Sequence, residues 1–285
     1  MTPFLTIGVS ENDYNTLTFL QRPHLVRYFP AGFLNRGASP PGQEGGPEII
    51  ILTPISWVDT FLIIKSKFFF SFFRESAINV VVVIDYQAGN ITSVVRSLKA
   101  LGVESTVTEG PEAVREAQRV IFPGVGAAGE AMATLKSRGL DQALQAAFRR
   151  GTPILGICLG AQIVLDYSEE NDTSCLGLLP GRTRALPRGA GLKVPHMGWN
   201  RVDFRGSHPV FTGLPTTAEY YFVHSFYPDP AETAMVMGVT DHGVSFPSAV
   251  GWRNLVATQF HPEKSGRFGL KILENFLAWG GSYAE

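Results

Sequence analysis

From residue 78 onward the apolar positions fall into short continuous runs separated by amphipathic stretches. Val80-Val-Val-Val-Ile84 is a β-branched run with no polar face, the pattern of a central strand buried on both sides. Val94, Val95, Leu98 and Leu101 then recur at helical spacing, with Gly102 placed to end the helix. Residues 104–108 read as a second strand, 111–117 as a short helix with Pro111 in its first turn, and 119–122 as a third strand. Helical patterns over 130–136 and 141–149 lead into a fourth apolar strand from Pro153. This alternation predicts an α/β fold with a mostly parallel central sheet flanked by helices.

The fourth strand stops at Gly156-Ile-Cys-Leu-Gly160, and helical character resumes over 161–166 with Ile163 and Val164 facing inward. Further on, 221–226, 200–203 and 255–260 read as strands. Residues 266–279 read as a closing helix with Phe268, Ile272 and Phe276 on one side. Residues 1–77 have a different character: turn-rich stretches such as Pro40-Pro-Gly-Gln-Glu-Gly-Gly-Pro47 and no sustained period. They are expected to be an extension, disordered or translated from a misplaced start, preceding a domain over 78–285. The apolar run Phe61–Phe73 raises a membrane question. Pro54, Asp59, Lys65 and Lys67 interrupt every window of about twenty residues that a spanning helix would need, so no span and no membrane partner are expected; a peripheral-membrane patch or an organism-specific arm stands beside the misplaced start as a reading of this stretch.

Composition narrows the function classes. A formal net charge of −1 over 285 residues gives no electrostatic case for nucleic acid. Two cysteines are too few for a disulfide framework, and no Cys/His spacing resembles a metal site, so no metal and no cofactor are expected and a reducing cytoplasm fits.

Two readings of Cys158 stand side by side. Free cysteine is among the most buried residue types, which favours an inert core thiol. A thiol between glycines at a strand-to-helix turn also matches a nucleophile elbow. There the helix start favours negative charge, and the N–H of Leu159 can face an oxyanion. Pro123-Gly-Val-Gly126 lacks both phosphate-loop spacings. It reads either as a tight βα turn or as a second source of oxyanion N–H groups, from about Val125.

A thiol nucleophile needs a base. Among the six histidines, His24 lies in the extension, and His208 and His242 sit in polar, turn-like contexts that predict solvation. His261 differs, because it ends a strand, Pro262 biases it towards an extended conformation, and Glu263 is close enough to orient its ring.

Gly156-Ile-Cys-Leu-Gly160 with His261-Pro-Glu263 about a hundred residues later resembles the class I (triad) glutamine amidotransferases, which adopt a flavodoxin-like α/β fold. The resemblance implies Cys158 as the nucleophile attacking the glutamine side-chain amide, His261 as base and then acid, and Glu263 as its orienting carboxylate. It further implies Gly124, Val125 and Gly126 as an oxyanion strand, with Leu159, Gln162 and the backbone of His224, Ser225 and Phe226 at the substrate. Three more stretches, Ile84-Asp-Tyr-Gln-Ala-Gly-Asn90, Pro195-His-Met-Gly-Trp-Asn200 and His261-Pro-Glu-Lys-Ser265, are similar to the glutaminase subunits of imidazole glycerol phosphate synthases. Those subunits hand ammonia to a (β/α)₈ cyclase partner. On that likeness the partner would meet Asp85, Tyr86, Asn90, Pro195, His196, Met197, Gly198, Trp199 and Asn200. Read without the likeness, Pro195–Asn200 is a Trp-anchored turn. Rival readings are a glutaminase of pyridoxal phosphate synthesis, a peptidase or esterase, and a non-catalytic binding module.

The chain departs from the family in two places. Gln87 stands where the family commonly has Gly, which would strain a position needing positive φ. No Met lies between position 1 and Ile78, although the family usually begins near the first strand.

Overall fold

The computed structural model describes the backbone of residues 6–9, 17–20 and 28–29, and residues 81–86, 91–189 and 192–282 in full. Gln87, Asn90 and the run Phe61–Phe73 lie outside these residues. The chain separates into two units, Met1–Ser76 and Ala77–Glu285. In the first, β1 (Thr6–Val9), β2 (Leu17–Leu20) and β3 (Tyr28–Phe29) pair antiparallel in that order.

The second unit starts with β4 (Val81–Ile84), α1 (Ile91–Ala100), β5 (Ser105–Thr108), α2 (Pro111–Glu116) and β6 (Arg119–Gly124). Then follow α3 (Ala128–Ser137), α4 (Leu140–Arg150), β7 (Ile154–Cys158) and a short α5 (Leu159–Ile163). Strands β5, β4, β6, β7 and later β17 (Leu255–Thr258) lie side by side and parallel. Consecutive residues of β4 confirm the two-faced burial its sequence predicts: Val82 and Ile84 enter one core, Val81 and Val83 the other. The first core packs α2, α3 and α4 on one face, and the second packs α1 and α6 (Gly266–Ala278) on the opposite face. In α6, Ile272, Leu273 and Phe276 are buried and Phe268 is half-buried against the same core.

Between β7 and β17 the chain builds smaller sheets. β8 (Tyr167–Ser168), β9 (Thr173–Ser174), β10 (Gly181–Ala185) and β14 (Phe226–Pro230) form one, in the order β14-β10-β8-β9. β11 (His196–Arg201) and β13 (Glu219–His224) form an antiparallel ribbon. β12 (Asp203–Phe204), β15 (Val236–Asp241) and β16 (Ser245–Trp252) extend the main sheet antiparallel beyond β17.

Three boundaries differ from the sequence expectation. The helix after Cys158 starts at Leu159 and stops at Ile163, because Tyr167 and Ser168 turn into a strand. The run 221–226 is broken at Ser225, since β13 pairs with β11 while β14 pairs with β10. The stretch containing Trp199 is strand β11, not a turn; cross-strand partners far along the chain supply its hydrogen bonds, and local pattern does not reveal them.

Candidate active site

Three adjacent parallel strands end at one place, and each delivers a different chemical group. Gly124, the last residue of β6, pairs in register with Cys158, the last of β7, while Thr258 of β17 pairs with Ile157. The chain continues from β17 through Gln259 and Phe260 to His261, whose N–H donates to the Tyr221 carbonyl at 2.9 Å. Carboxyl ends of parallel strands are where open α/β sheets collect their sites.

Cys158 sits on a sharp elbow. Its backbone adopts φ 56°, ψ −108°, a conformation a non-glycine residue holds at a cost of order 1–3 kcal/mol. The flanking glycines are required sterically: a Cβ on Gly160 would lie 2.0 Å from the Phe122 carbonyl oxygen, and one on Gly156 would lie 2.9 Å from Ala257 Cβ. The thiol emerges at a cavity of about 360 Å³, opposite Val125, Gly126 and the ribbon end Val223–Phe226.

The His261 ring faces two partners. Its Nδ1 is 2.7 Å from Glu263 Oε1, with both side chains almost wholly buried, and the ring also hydrogen-bonds the Cys158 side chain. Burial alone would lower its pKa. The hydrogen bonds and charges of Cys158 and Glu263 outweigh burial and raise it to about 9. His261 takes φ −98°, ψ 96°, the extended form its following proline favours. A thiol, an imidazole and an oriented carboxylate in sequence can deprotonate the sulfur and later protonate a leaving nitrogen.

The other expected substrate residues divide by role. Val125, Gly126, Leu159, Gln162, His224, Ser225 and Phe226 all line the cavity. Gly124 lies just behind it; a Cβ there would meet the Tyr86 hydroxyl at 1.9 Å. Gln162 donates both amide hydrogens internally, to the Phe226 carbonyl at 2.9 Å and to Gln259 Oε1 at 3.0 Å. Gln162 therefore shapes the wall with its amide donors already engaged. His224 contributes a buried side chain as well as backbone.

Of the residues expected at a partner, Met197 and Trp199 are 63% and 55% exposed, on the outward face of β11. Pro195 is exposed beside them and also lines the cavity; Gly198 and Asn200 are half-buried. Asp85 is half-buried, and its carbonyl accepts from Arg138 at 3.1 Å. Three side chains are more buried than their sequence contexts suggest. Tyr86 is 2% exposed and packs on Phe122 beneath the glycine loop, where burial and the nearby Cys158 sulfur raise its phenol pKa. His196 is 3% exposed, because strand alternation turns it inward while Met197 turns out. His208, expected in solvent, is also buried: it packs against Trp279 and Phe211, accepts from Val210 N–H, and is held to a pKa of about 4 by burial.

Glu170 and Gln259 were not singled out from the sequence. Glu170 lines the cavity while its Oε2 accepts from Ala128 N–H at 2.8 Å; within Glu169-Glu-Asn-Asp172 it looks like any solvated turn carboxylate. Gln259 Nε2 lies 3.7 Å from Cys158 Sγ, and a buried amide at the end of an apolar strand was the available clue. Among the described residues, no group of three or more His, Cys, Asp or Glu side chains could hold a metal ion, and no helix is long and apolar enough to cross a membrane.

Comparison with known proteins agrees with this geometry. The family model for glutamine amidotransferase class-I matches residues 82–279, and the chain belongs to that class. Solved structures give the same fold: a glutamine amidotransferase aligns with TM-score 0.57 at 18% identity, over 70% of this chain and 98% of that one. Among curated relatives, the imidazole glycerol phosphate synthase subunit HisH of Dehalococcoides mccartyi is 48% identical over 198 residues, 69% of this chain and 96% of that protein. The HisH subunit of Nitratidesulfovibrio vulgaris is 49% identical over 200 residues, 68% and 93% of the two chains. Within its class the chain is thus a member of the HisH family, an enzyme of the glutaminase type.

Proposed function

We propose that the chain hydrolyses glutamine through a γ-glutamyl thioester on Cys158 and passes the ammonia to a cyclase partner. The observation that supports this most is the hydrogen-bonded series Cys158–His261–Glu263 at the mouth of the cavity. On this reading the thiol proton passes to His261 before Sγ attacks the side-chain carbonyl carbon, and the imidazolium then gives that proton to the departing nitrogen, which leaves as ammonia. Water, deprotonated by the same imidazole, cleaves the thioester to glutamate. The N–H groups of Leu159 and Val125 receive the oxyanion in both steps. Glu170 is the carboxylate suited to the substrate's α-ammonium, since Glu263 is engaged with His261. The exposed face of Met197 and Trp199 takes the cyclase, which combines ammonia with its nucleotide substrate to give imidazole glycerol phosphate and an aminoimidazole ribonucleotide for histidine biosynthesis. A reducing cytoplasm keeps Cys158 and Cys175 as free thiols.

The test is a glutaminase assay of wild type and Cys158→Ser, each with and without the cyclase and its nucleotide substrate. Glutamate should form at full rate only in the wild-type complex with that nucleotide. Full activity of the isolated chain overturns the coupling, and activity in Cys158→Ser overturns the nucleophile.

A further inference from the structure

Behind the exposed face of β11, two buried histidines meet. His196 and His224 are opposite each other in the β11–β13 register, and His196 Nδ1 lies 2.9 Å from His224 Nε2. His224 Nδ1 lies 2.8 Å from the Phe226 carbonyl. A carbonyl oxygen only accepts, so Nδ1 of His224 carries the hydrogen and its Nε2 presents a lone pair. His196 must then donate from Nδ1, which leaves its Nε2 to accept from the Asn200 amide at 3.2 Å. The second Asn200 amide hydrogen goes to the Asp241 carbonyl at 2.8 Å. One carbonyl therefore sets both tautomers. Burial keeps both rings neutral, lowering His196 to about 4 and His224 to about 3.

The same Phe226 carbonyl accepts from Gln162, whose other hydrogen goes to Gln259, whose amide in turn reaches the Cys158 sulfur. Hydrogen bonds thus run without a break from Asn200, on the strand that exposes Met197 and Trp199, to the reacting atom. We propose that His196 is a positioning residue for the glutaminase reaction. It holds His224 and the Phe226 carbonyl in place, fixes the Gln162–Gln259 pair against the thiol, and so ties the seating of the outer ribbon to the geometry of the pocket. This rests on the glutaminase reading above.

Two substitutions separate the ring from its hydrogen bond. His196→Phe retains an aromatic ring between Phe222 and His242, whose centroids lie 4.7 and 4.0 Å from that of His196, but removes the donor. His196→Asn keeps a donor near the Nδ1 position and loses the ring. In the cyclase complex with its nucleotide bound, His196→Phe should lower kcat/KM for glutamine about tenfold, mostly through KM, the loss expected for one buried hydrogen bond. His196→Asn should recover most of that loss, and the cyclase Kd of both variants should stay within about threefold of wild type. Nitrogen NMR of the wild-type chain should show N–H at Nδ1 and a bare Nε2 on both His196 and His224. Wild-type kcat/KM in a folded His196→Phe, or a protonated Nε2 on His224, overturns the proposal. So does a loss of cyclase affinity with unchanged kcat/KM at saturating cyclase, which makes His196 a packing residue of the interface. Should His196→Phe fail to fold, the wild-type tautomers and His196→Asn still decide. A wild-type complex that hydrolyses no glutamine refutes the glutaminase reading, and the tautomers then test the hydrogen-bond chain separately.

Discussion

The mouth of the parallel strands and the β11–β13 ribbon are built to opposite rules. At the mouth, the His261 and Glu263 side chains are 1% and 0% exposed and hydrogen-bonded to each other. On the ribbon, Met197 and Trp199 stand 63% and 55% exposed on one face. Large apolar side chains side by side in water mark a surface that another protein covers. The contrast teaches that the groups of the proposed triad find their partners within one chain, while the ribbon presents apolar side chains that the proposed cyclase partner would cover.

The sharpest way to break this comparison is at the mouth. Cys158→Ala or His261→Ala should reduce glutamine turnover about 10³-fold or more while leaving cyclase affinity unchanged, as measured by steady-state kinetics and by titration calorimetry. A large loss of affinity would mean that the two regions are not separable. Glu263→Gln should cost about 10²-fold in kcat, because the ring loses the carboxylate's charge and an amide can turn its NH2 to Nδ1 and hold the wrong tautomer, while the thiol stays. At the ribbon, Trp199→Ala should weaken cyclase binding about 30-fold and leave the melting temperature of the isolated chain almost unchanged. If melting falls by many degrees instead, Trp199 is structural.

A smaller effect concerns pH. His261 is raised from the ordinary histidine value to about 9 in the folded chain. A raised pKa contributes stability that is fully present below the unfolded value of about 6.5 and is lost as pH climbs through the folded value. The melting-temperature gap between wild type and Glu263→Gln should therefore be widest below about pH 6.5 and narrow on the way to pH 10. A gap that widens with pH contradicts the assigned protonation.

How much of this was legible in the sequence depends on the range of the forces involved. The β-branched run at Val81–Ile84, the elbow at Gly156–Gly160 and the proline after His261 are local signals, and each lies where its pattern predicts. The partners of Cys158 were found by residue type and strand ends, since parallel strands bring their carboxyl ends together whatever their separation along the chain. The pairing of His196 with His224 was not readable, because it depends on a strand register set across 28 residues. His208 misled for the same reason: Ser207-His-Pro209 reads as a polar turn, while Trp279, far along the chain, packs over the ring together with Phe211. Glu170 carries no local mark separating it from its solvated neighbours. Its place beside the cavity comes from the helix start at Ala128 that its carboxylate caps.

The central claim is covalent chemistry at one sulfur, and rapid quenching of the cyclase complex during turnover of radiolabelled glutamine tests it most directly. The account predicts label on the protein, confined to the peptide bearing Cys158, lost on treatment with hydroxylamine and absent from Cys158→Ala. Steady glutamate formation with no label on that peptide, or with label unchanged in Cys158→Ala, would contradict it.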